Sequence, residues 1–420
     1  MTGTRIAISL RFVVALLACA LLMPAGPATA AKRGPKTLDV LTVGNNWDGT
    51  ADLVDVRTWK KIKHLNIVPD HDERVAEISA DPVRLGYFVA IRQLIGEGHD
   101  QLVDDAFTSP QGTLLYVSRP SFADVVAISL RTGKIVWRVP VEGYRGDHMA
   151  LSRGGTRLLV SASTARKVHV IDTKKGAIVA NFESGDQPHE SNFSHDGKLV
   201  YHASIGTVYT PTDDPALDST KGDRWFELVD ARSWKVLKRI DMGQKLADFG
   251  MPGMSSAVRP MALSPDEHFV YFQLSFLHGF VEYDLKADKV TRVAQLPISD
   301  KASHLTREQY LLDSAHHGLA MNPAGTKLCV AGTMSDYAAI VDRGTLKPTI
   351  LPIGQKPYWA TNSADGRYCY VSFSGDDRVS VIDYRTAKEV ARITVGDHPQ
   401  RMRVGKLRVA YLKARDGAAR

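Results

Sequence analysis

Short runs in which apolar and polar side chains alternate cover most of the chain, a pattern typical of half-buried β-strands. The clearest stretch is residues 357–399. Its β-branched and aromatic runs, separated by turn residues, predict four strands at 358–362, 368–373, 378–383 and 389–395. Four antiparallel strands in about forty residues form one β-propeller blade, which cannot bury both of its faces alone. The pattern therefore predicts further copies of this unit.

Two local signatures repeat along the chain. The third strand of each predicted blade ends in an apolar–apolar–polar triplet, and seven triplets close on Asp55, Ser129, Asp172, Asp230, Asp284, Asp342 and Asp383. The turn between the first and second strands recurs six times, beginning at Ser109, Ser152, Ser194, Ser264, Asn322 and Ser363. Seven third strands and six such turns predict an all-β, seven-bladed propeller whose first blade lacks its inner strand.

The missing strand has a candidate at the C-terminus. The propeller begins on a second-strand pattern at residues 37–43, whereas residues 398–404 have the pattern of a first strand. Pairing these two segments closes the ring and removes its exposed sheet edges. We therefore predict one propeller domain over residues 37–412, closed by a C-terminal strand.

The repeats resemble a known family. Residues 369–399, CYVSFSGDDRVSVIDYRTAKEVARITVGDHP, are similar to the YVTN repeat, and residues 114–141 and 167–188 are weaker copies. The resemblance implies a seven-bladed β-propeller like those of bacterial cell-envelope and secreted YVTN proteins. Related propellers include binding proteins, lactonases and domains of redox enzymes, so the resemblance leaves the function open.

The first thirty residues differ from the rest of the chain. Arg5 and Arg11 accompany an apolar run over residues 12–23, and Ala28-Thr29-Ala30 has the small-residue pattern of a cleavage site. This pattern predicts a signal peptide over residues 1–30 and a secreted or cell-envelope protein. The alternatives are a lipoprotein cleaved before Cys19 and a retained anchor, although the run is short for a spanning helix. No membrane span is predicted after cleavage.

Charge and cysteine content restrict the partners only slightly. The formal net charge of +7 is dispersed along the chain and gives no support to nucleic-acid binding. We expect a monomer that binds a small molecule or a protein. Cys329 and Cys369 lie in the second strands of neighbouring blades, and an interblade disulfide and two buried thiols are both compatible with their positions.

Long insertions are predicted on one face of the ring. They occupy residues 69–99, 205–225, 241–258 and 299–315, and each joins strands at the same side of its blade. The first insertion should contain a short helix between blades 1 and 2, because apolar residues recur there at helical spacing: Val83, Tyr87, Ile91, Leu94 and Ile95. Long ordered loops on a rigid scaffold often carry function, so we expect the site on this face.

The innermost strands of the blades surround a central channel along the axis of the ring. The N-terminal ends of these strands meet where the channel opens on the face that carries the insertions. Candidate metal ligands are His148, His189, His316, His317 and His398, because imidazoles that converge from separate strands suit Cu, Zn or Fe. Candidate ligand-binding residues are Asp104, Asp105, Glu190, Arg259, Tyr358, Trp359 and Arg401. Alternatively, the histidines cap strand ends, and the arginines bind a carboxylate or phosphate.

Two functions are compatible with these residues. The first is a propeller that binds a ligand, metal or protein partner through its axial channel and the face that carries the long insertions, which we call the decorated face. The alternative is an enzyme, either a lactonase-like hydrolase or lyase or a copper-dependent oxidoreductase that uses the axial histidines. The histidine-rich axis resembles the copper-binding propeller of nitrous oxide reductase, although that enzyme's cupredoxin domain is absent from this sequence.

Two further observations bear on the choice. The chain contains no Gly-x-Ser-x-Gly, Cys-x-x-Cys, His-Glu-x-x-His or P-loop pattern, so it gives no support to the corresponding enzyme classes. Adjacent residues of a regular strand point to opposite faces. We therefore expect a pair such as His189 and Glu190 to direct at most one of its two side chains toward the channel. A closed pocket of titratable groups would favour an enzyme, and a shallow surface would favour a binding module.

Overall fold

The computed structural model describes residues 36–208, 215–310, 312 and 314–412. Within this part of the chain, the strands form seven antiparallel sheets of four strands each. The predicted all-β, seven-bladed propeller is therefore confirmed. We number the sheets as blades 1 to 7 in chain order.

The strands follow the chain blade by blade. Blade 1 begins with β1 (Thr37–Asn45), β2 (Thr50–Asp55) and β3 (Lys60–Asn66). Blades 2 and 3 contain β4 (Asp105–Thr108), β5 (Leu114–Arg119), β6 (Asp124–Ser129), β7 (Ile135–Pro140), β8 (Gly146–Leu151), β9 (Arg157–Ala162), β10 (Lys167–Asp172) and β11 (Ala177–Glu183). Blades 4 and 5 contain β12 (Pro188–Phe193), β13 (Leu199–Ser204), β14 (Phe226–Asp230), β15 (Val236–Ile240), β16 (Val258–Leu263), β17 (Phe269–Leu274), β18 (Gly279–Asp284) and β19 (Lys289–Gln295). Blades 6 and 7 contain β20 (Leu319–Met321), β21 (Lys327–Gly332), β22 (Tyr337–Asp342), β23 (Pro348–Leu351), β24 (Pro357–Asn362), β25 (Tyr368–Phe373), β26 (Arg378–Asp383) and β27 (Lys388–Thr394), and β28 (Pro399–Arg408) returns to blade 1.

The C-terminal strand closes the ring as predicted. β28 pairs antiparallel with β1, and its register places Val404 opposite Leu41 and Met402 opposite Val43. Met402 is completely buried and packs in one apolar cluster with Leu41 and Val43. The first blade therefore obtains its inner strand from the far end of the chain, which pairs the edge of β1 that would otherwise be open.

Both repeated sequence signatures have a backbone explanation. The aspartate that ends a third strand accepts backbone N–H groups of the following turn, as Asp172 does from Lys174 and Lys175. The turn between the first and second strands requires a left-handed residue in its fourth position, which is glycine in five copies with φ between 61° and 71°. Glu267 occupies this position in the sixth copy and adopts φ 52°.

The hydrophobic core lies between neighbouring blades. Val40 and Leu53 of blade 1, for example, share an apolar cluster with Val117 and Val126 of blade 2, and all four are fully buried. A disulfide between Cys329 of β21 and Cys369 of β25 joins blades 6 and 7. Of the two possibilities that the sequence left open for these cysteines, the structure contains the disulfide.

In the described parts of the insertions there are four short α-helices, α1 (His71–Ser79), α2 (Pro82–Leu94), α3 (Met242–Asp248) and α4 (Asp300–Ser303). The helix predicted in the first insertion is α2, which begins where the Asp81 carboxylate accepts the N–H groups of Val83 and Arg84. α1 was not predicted. Of the residues with the predicted spacing, Ile91 is buried, whereas Val83, Tyr87 and Leu94 are exposed; the buried Phe88 is not part of that pattern.

The predicted signal peptide over residues 1–30, with its alternatives at Cys19 and in the apolar run, lies outside the described residues. No helix within the described ranges is long and apolar enough to cross a membrane.

Candidate functional site

Bulges in the inner strands shape the axial site. In β8, Gly146 pairs with Ala162 and Met149 with Val160, so Asp147 and His148 together face the single residue between these partners. The same two-against-one arrangement occurs in β12, where it involves His189 and Glu190. β16, β24 and β28 have register shifts at the equivalent place. Such bulges change the direction of side chains and are common next to functional sites.

The bulges correct our expectation that each adjacent pair supplies one inward group. The ring centroids of His189 and His148 are 3.7 Å apart. The Oε2 atom of Glu190 also lies 4.0 Å from His148 Nδ1, so both members of the pair approach the same imidazole. Alternation along an ideal strand could not have indicated this, because the extra residue of a bulge has no signal in the hydrophobic pattern.

Three histidines from three blades form the centre of the site. His148 lies in blade 3, His189 in blade 4, and His317 immediately before the first strand of blade 6. One ring nitrogen of each lies within 4.8 Å of a ring nitrogen of the other two. All three side chains are buried, with 2% to 3% of their surface exposed. Three converging imidazoles are one of the donor sets that proteins use for zinc and copper.

The environment keeps these imidazoles neutral. Burial is the largest cause that lowers the pKa of His148, His189 and His317 well below the ordinary value. The guanidinium groups of Arg401 and Arg259 contribute to the same direction of shift. A neutral imidazole has a free lone pair, which is the form that coordinates a metal ion.

Ion pairs surround the histidines. Arg401 donates from Nη1 to Asp104 and contacts the Nε2 atom of His148 through Nη2. Arg403 donates to both carboxylate oxygens of Asp105, at 2.9 and 2.7 Å. The positive charges of Arg401 and Arg403 beside the histidines are therefore offset by paired carboxylates.

Two carboxyl groups close to these histidines have raised pKa values. Burial raises the pKa of Asp104 to about 7, although the nearby charge of Arg401 acts in the opposite direction. Burial also raises the pKa of Glu190 to about 7. Asn192 donates to Glu190 Oε1 at 2.8 Å, whereas the Oε2 atom has no hydrogen-bond partner among the described residues.

A small cavity of about 30 Å³ lies over the histidines. Its floor contains the three imidazoles, Asp104, Asp147 and the arginines at positions 145, 259 and 401. Its roof is apolar and comes from three of the insertions, through Ile95, Ile205, Val208 and Leu312. The insertions of the decorated face and the axial channel therefore line one partly covered site.

The remaining predicted residues have different surroundings. The ring of Tyr358 lies 4.3 Å from that of His317, and Trp359 lies under the guanidinium groups of Arg401 and Arg403, at 5.0 and 4.9 Å from their centres. Arg259 donates to the hydroxyl of Ser275 and to the carbonyl oxygen of Leu312.

Two of the five predicted histidines lie apart from the cluster. The Nε2 atom of His316 is 3.2 Å from the hydroxyl of Tyr337. His398 stacks on Trp47 at 3.8 Å, and burial lowers its pKa to about 3. The structure thus brings together His148, His189 and His317, and gives His316 and His398 aromatic partners.

Sequence reasoning missed Asp147 and Arg145. Asp147 groups with Asp104 and His148, since one ligand atom of each lies within 4.8 Å of the others. Arg145 donates to Asp147 at 2.6 Å and lines the cavity. The position of Asp147 was a usable signal, because it corresponds in the repeat to Asp104, His189 and His317.

The residues fit a transition-metal ion. The Nδ1 atoms of His148, His189 and His317 are buried and have no hydrogen-bond partner among the described residues, and the same holds for Asp104 Oδ2. Buried polar atoms in folded proteins nearly always have partners, so a cluster of such atoms around one cavity indicates a place for a bound group. Nitrogen donors with flanking carboxylates suit Zn or Cu better than Mg or Ca.

Comparisons with known proteins support the fold. No family model and no curated protein matches the chain. One similar solved structure is hydrazine synthase from Kuenenia stuttgartiensis, at 17% sequence identity and a TM-score of 0.55. The match covers 73% of this chain and 95% of that chain. At this identity the likeness shows the propeller fold and leaves the chemistry undetermined.

Proposed function

We propose that this protein is an exported, YVTN-type propeller that binds a transition-metal ion, Zn or Cu, in its axial cavity and presents it to a small ligand. His148, His189 and His317 supply the three protein donors. The observation that carries the proposal is their convergence, with three buried ring nitrogens within 4.8 Å of one another. A metal held by these three donors would have a further coordination position for an exchangeable ligand.

The surrounding charges are compatible with a cation. The arginines at positions 145, 401 and 403 each form an ion pair with Asp147, Asp104 or Asp105. These carboxylates offset the guanidinium groups, and Glu190 adds a carboxyl group near His148. Because Arg401 contacts His148 Nε2, coordination through that nitrogen requires the guanidinium to move toward Asp104.

Metal binding by single-alanine variants tests the proposal. The wild-type protein should retain about one Zn or Cu ion per chain after dialysis, measured by elemental analysis and by calorimetric titration. His148→Ala, His189→Ala and His317→Ala should each weaken binding by more than about 100-fold, because loss of a supporting contact alone costs about 10- to 100-fold. All three variants should keep the folded circular-dichroism spectrum.

His304→Ala and His398→Ala are the matched controls. His304 is exposed and His398 stacks on Trp47, so both variants should bind metal as the wild type does. Unchanged binding in the three cluster variants would refute the proposal. Unfolding of those variants would instead mean that the histidines have a structural role.

The converging titratable groups of the cavity favour an enzyme as the second candidate function. Titratable groups converge in a roofed pocket here, which is the arrangement expected of a catalytic site rather than of a shallow binding surface. A bound Zn ion would supply an activated water molecule. Asp104, whose Oδ2 atom is unpartnered among the described residues, could accept a proton from it in a hydrolase or lyase reaction.

Activity of the metal-loaded protein distinguishes the two functions. An enzyme should hydrolyse simple lactones or esters faster than the zinc-free protein does. Asp104→Asn should lower kcat while metal binding persists. Equal rates with and without metal across such a substrate panel would leave metal and ligand binding as the function.

A further inference from the structure

A second, apolar cavity adjoins the axial site. It has a volume of about 50 Å³ and lies between α2 and the body of the ring. Its lining includes Tyr87, Ala90, Ile91 and Leu94 of α2. Tyr87 also stacks on Tyr144 at a centroid distance of 4.1 Å. The helix thus covers an apolar space beside a strongly polar one.

The two cavities meet at shared residues. Ile95, Arg145 and Gln187 line both of them. Arg145 marks the junction, since its Nη1 atom donates to Asp147 in the axial site. Its Nε atom is buried and has no hydrogen-bond partner among the described residues. A ligand at the junction therefore meets a guanidinium and the proposed metal on one side and aliphatic or aromatic carbon on the other.

Two apolar side chains that line the apolar cavity are unusually exposed to solvent. Tyr87 is 40% exposed and Leu94 is 53% exposed, although both side chains line it. Exposed apolar side chains that border an apolar cavity gain free energy when a carbon chain covers them. The polar side chains of the axial site give no such gain. The axial site therefore favours a polar group of a ligand, whereas the apolar cavity favours its carbon chain.

We propose that the ligand of this site is a small monocarboxylic acid with an apolar tail. Its carboxylate lies at the junction, coordinates the proposed metal and accepts a hydrogen bond from Arg145. Carboxylate oxygens suit both partners, as zinc ligands and as acceptors for guanidinium groups. Its tail occupies the cavity between α2 and the ring. The carboxylate part of this inference rests on the proposed metal site, whereas the tail part does not.

A series of straight-chain acids from acetate to octanoate tests the inference. Calorimetric titration of the zinc-loaded protein should show affinity that rises about fourfold per methylene until the cavity is filled. Ala90→Phe fills the cavity and should abolish this rise while the affinity for acetate and for zinc stays the same. Leu94→Ser, at an exposed position, should reduce the rise.

Val89→Phe is the matched control. Val89 precedes Ala90 on α2, is 46% exposed and does not line the cavity, so this variant should keep the full dependence on chain length. A wild-type affinity that does not depend on chain length would overturn the inference, as would Ala90→Phe and Leu94→Ser variants that both behave like the wild type.

The same titrations separate the two proposals. Zinc binding without a chain-length effect would contradict the ligand class and leave the metal site standing. A chain-length effect in a protein that binds no metal would contradict the metal site, and the carboxylate would then be held by Arg145. If no acid binds to the protein either with or without zinc, the proposed ligand class is wrong.

Discussion

Buried histidines are the most informative single residues of this propeller. Those of the axial cluster lie among arginines and carboxylates, whereas His202 has neutral partners at both ring nitrogens. His202 is an example of the second kind: it is fully buried, and its two ring nitrogens lie 2.8 Å from the hydroxyl of Ser184 and 2.9 Å from that of Ser191. The neighbouring groups distinguish these two kinds of buried histidine more clearly than burial does, because both kinds are inaccessible to solvent.

His202 gives a pH-dependent prediction. Burial lowers its pKa in the folded state to about 3, whereas an unfolded histidine titrates near 6.5. The unfolded chain therefore binds the extra proton first, and the free energy of unfolding falls as pH drops below about 6.5, by about 2 kcal/mol at pH 5 from this residue. His202→Gln should remove that part of the pH dependence in urea denaturation.

His304→Gln is the control for this measurement, because the side chain of His304 is exposed. Its denaturation curves should show the wild-type change between pH 6.5 and pH 5. Asp104 and Glu190 act in the opposite direction, since their raised pKa values favour the folded state at low pH and this contribution is lost as pH rises toward 7. A His202→Gln variant with the full wild-type slope would contradict the account.

At the scale of elements, the sequence predicted the strands well and their irregularities poorly. Alternation and turn residues indicated the blades and the closing strand, because these features follow from side-chain spacing. The bulges at Asp147 and His148 and at His189 and Glu190 follow from how two strands pair, which a single strand's pattern does not contain. For this reason we expected only one inward group from each pair, whereas Asp147 was overlooked although its place in the repeat matches that of Asp104.

Closure by β28 gives a prediction at the same scale. Met402 is fully buried against β1, so Met402→Ala should lower the free energy of unfolding by about 2 to 5 kcal/mol in urea denaturation. Val409→Ala, at a position in the same C-terminal segment that is 39% exposed, should change it by less than about 0.5 kcal/mol. Equal effects of the two substitutions would mean that the closing strand contributes little packing.

For the molecule as a whole, the ring explains why the site exists only in the folded protein. Residues 104, 148, 189, 259, 317, 358 and 401 come from seven different blades and meet only when β28 completes the circle. The sequence predicted this convergence because each residue occupies a similar place in its repeat. It could not predict the apolar roof, since Ile95, Ile205 and Leu312 belong to insertions outside the repeat.

The most direct test of the proposed metal centre is an anomalous diffraction measurement on crystals grown with Zn or Cu. Data collected at the absorption edge should show one strong peak in the axial cavity, about 2.0 to 2.1 Å from a ring nitrogen of each of His148, His189 and His317. The absence of a peak there, or peaks confined to other parts of the molecule, would contradict the account.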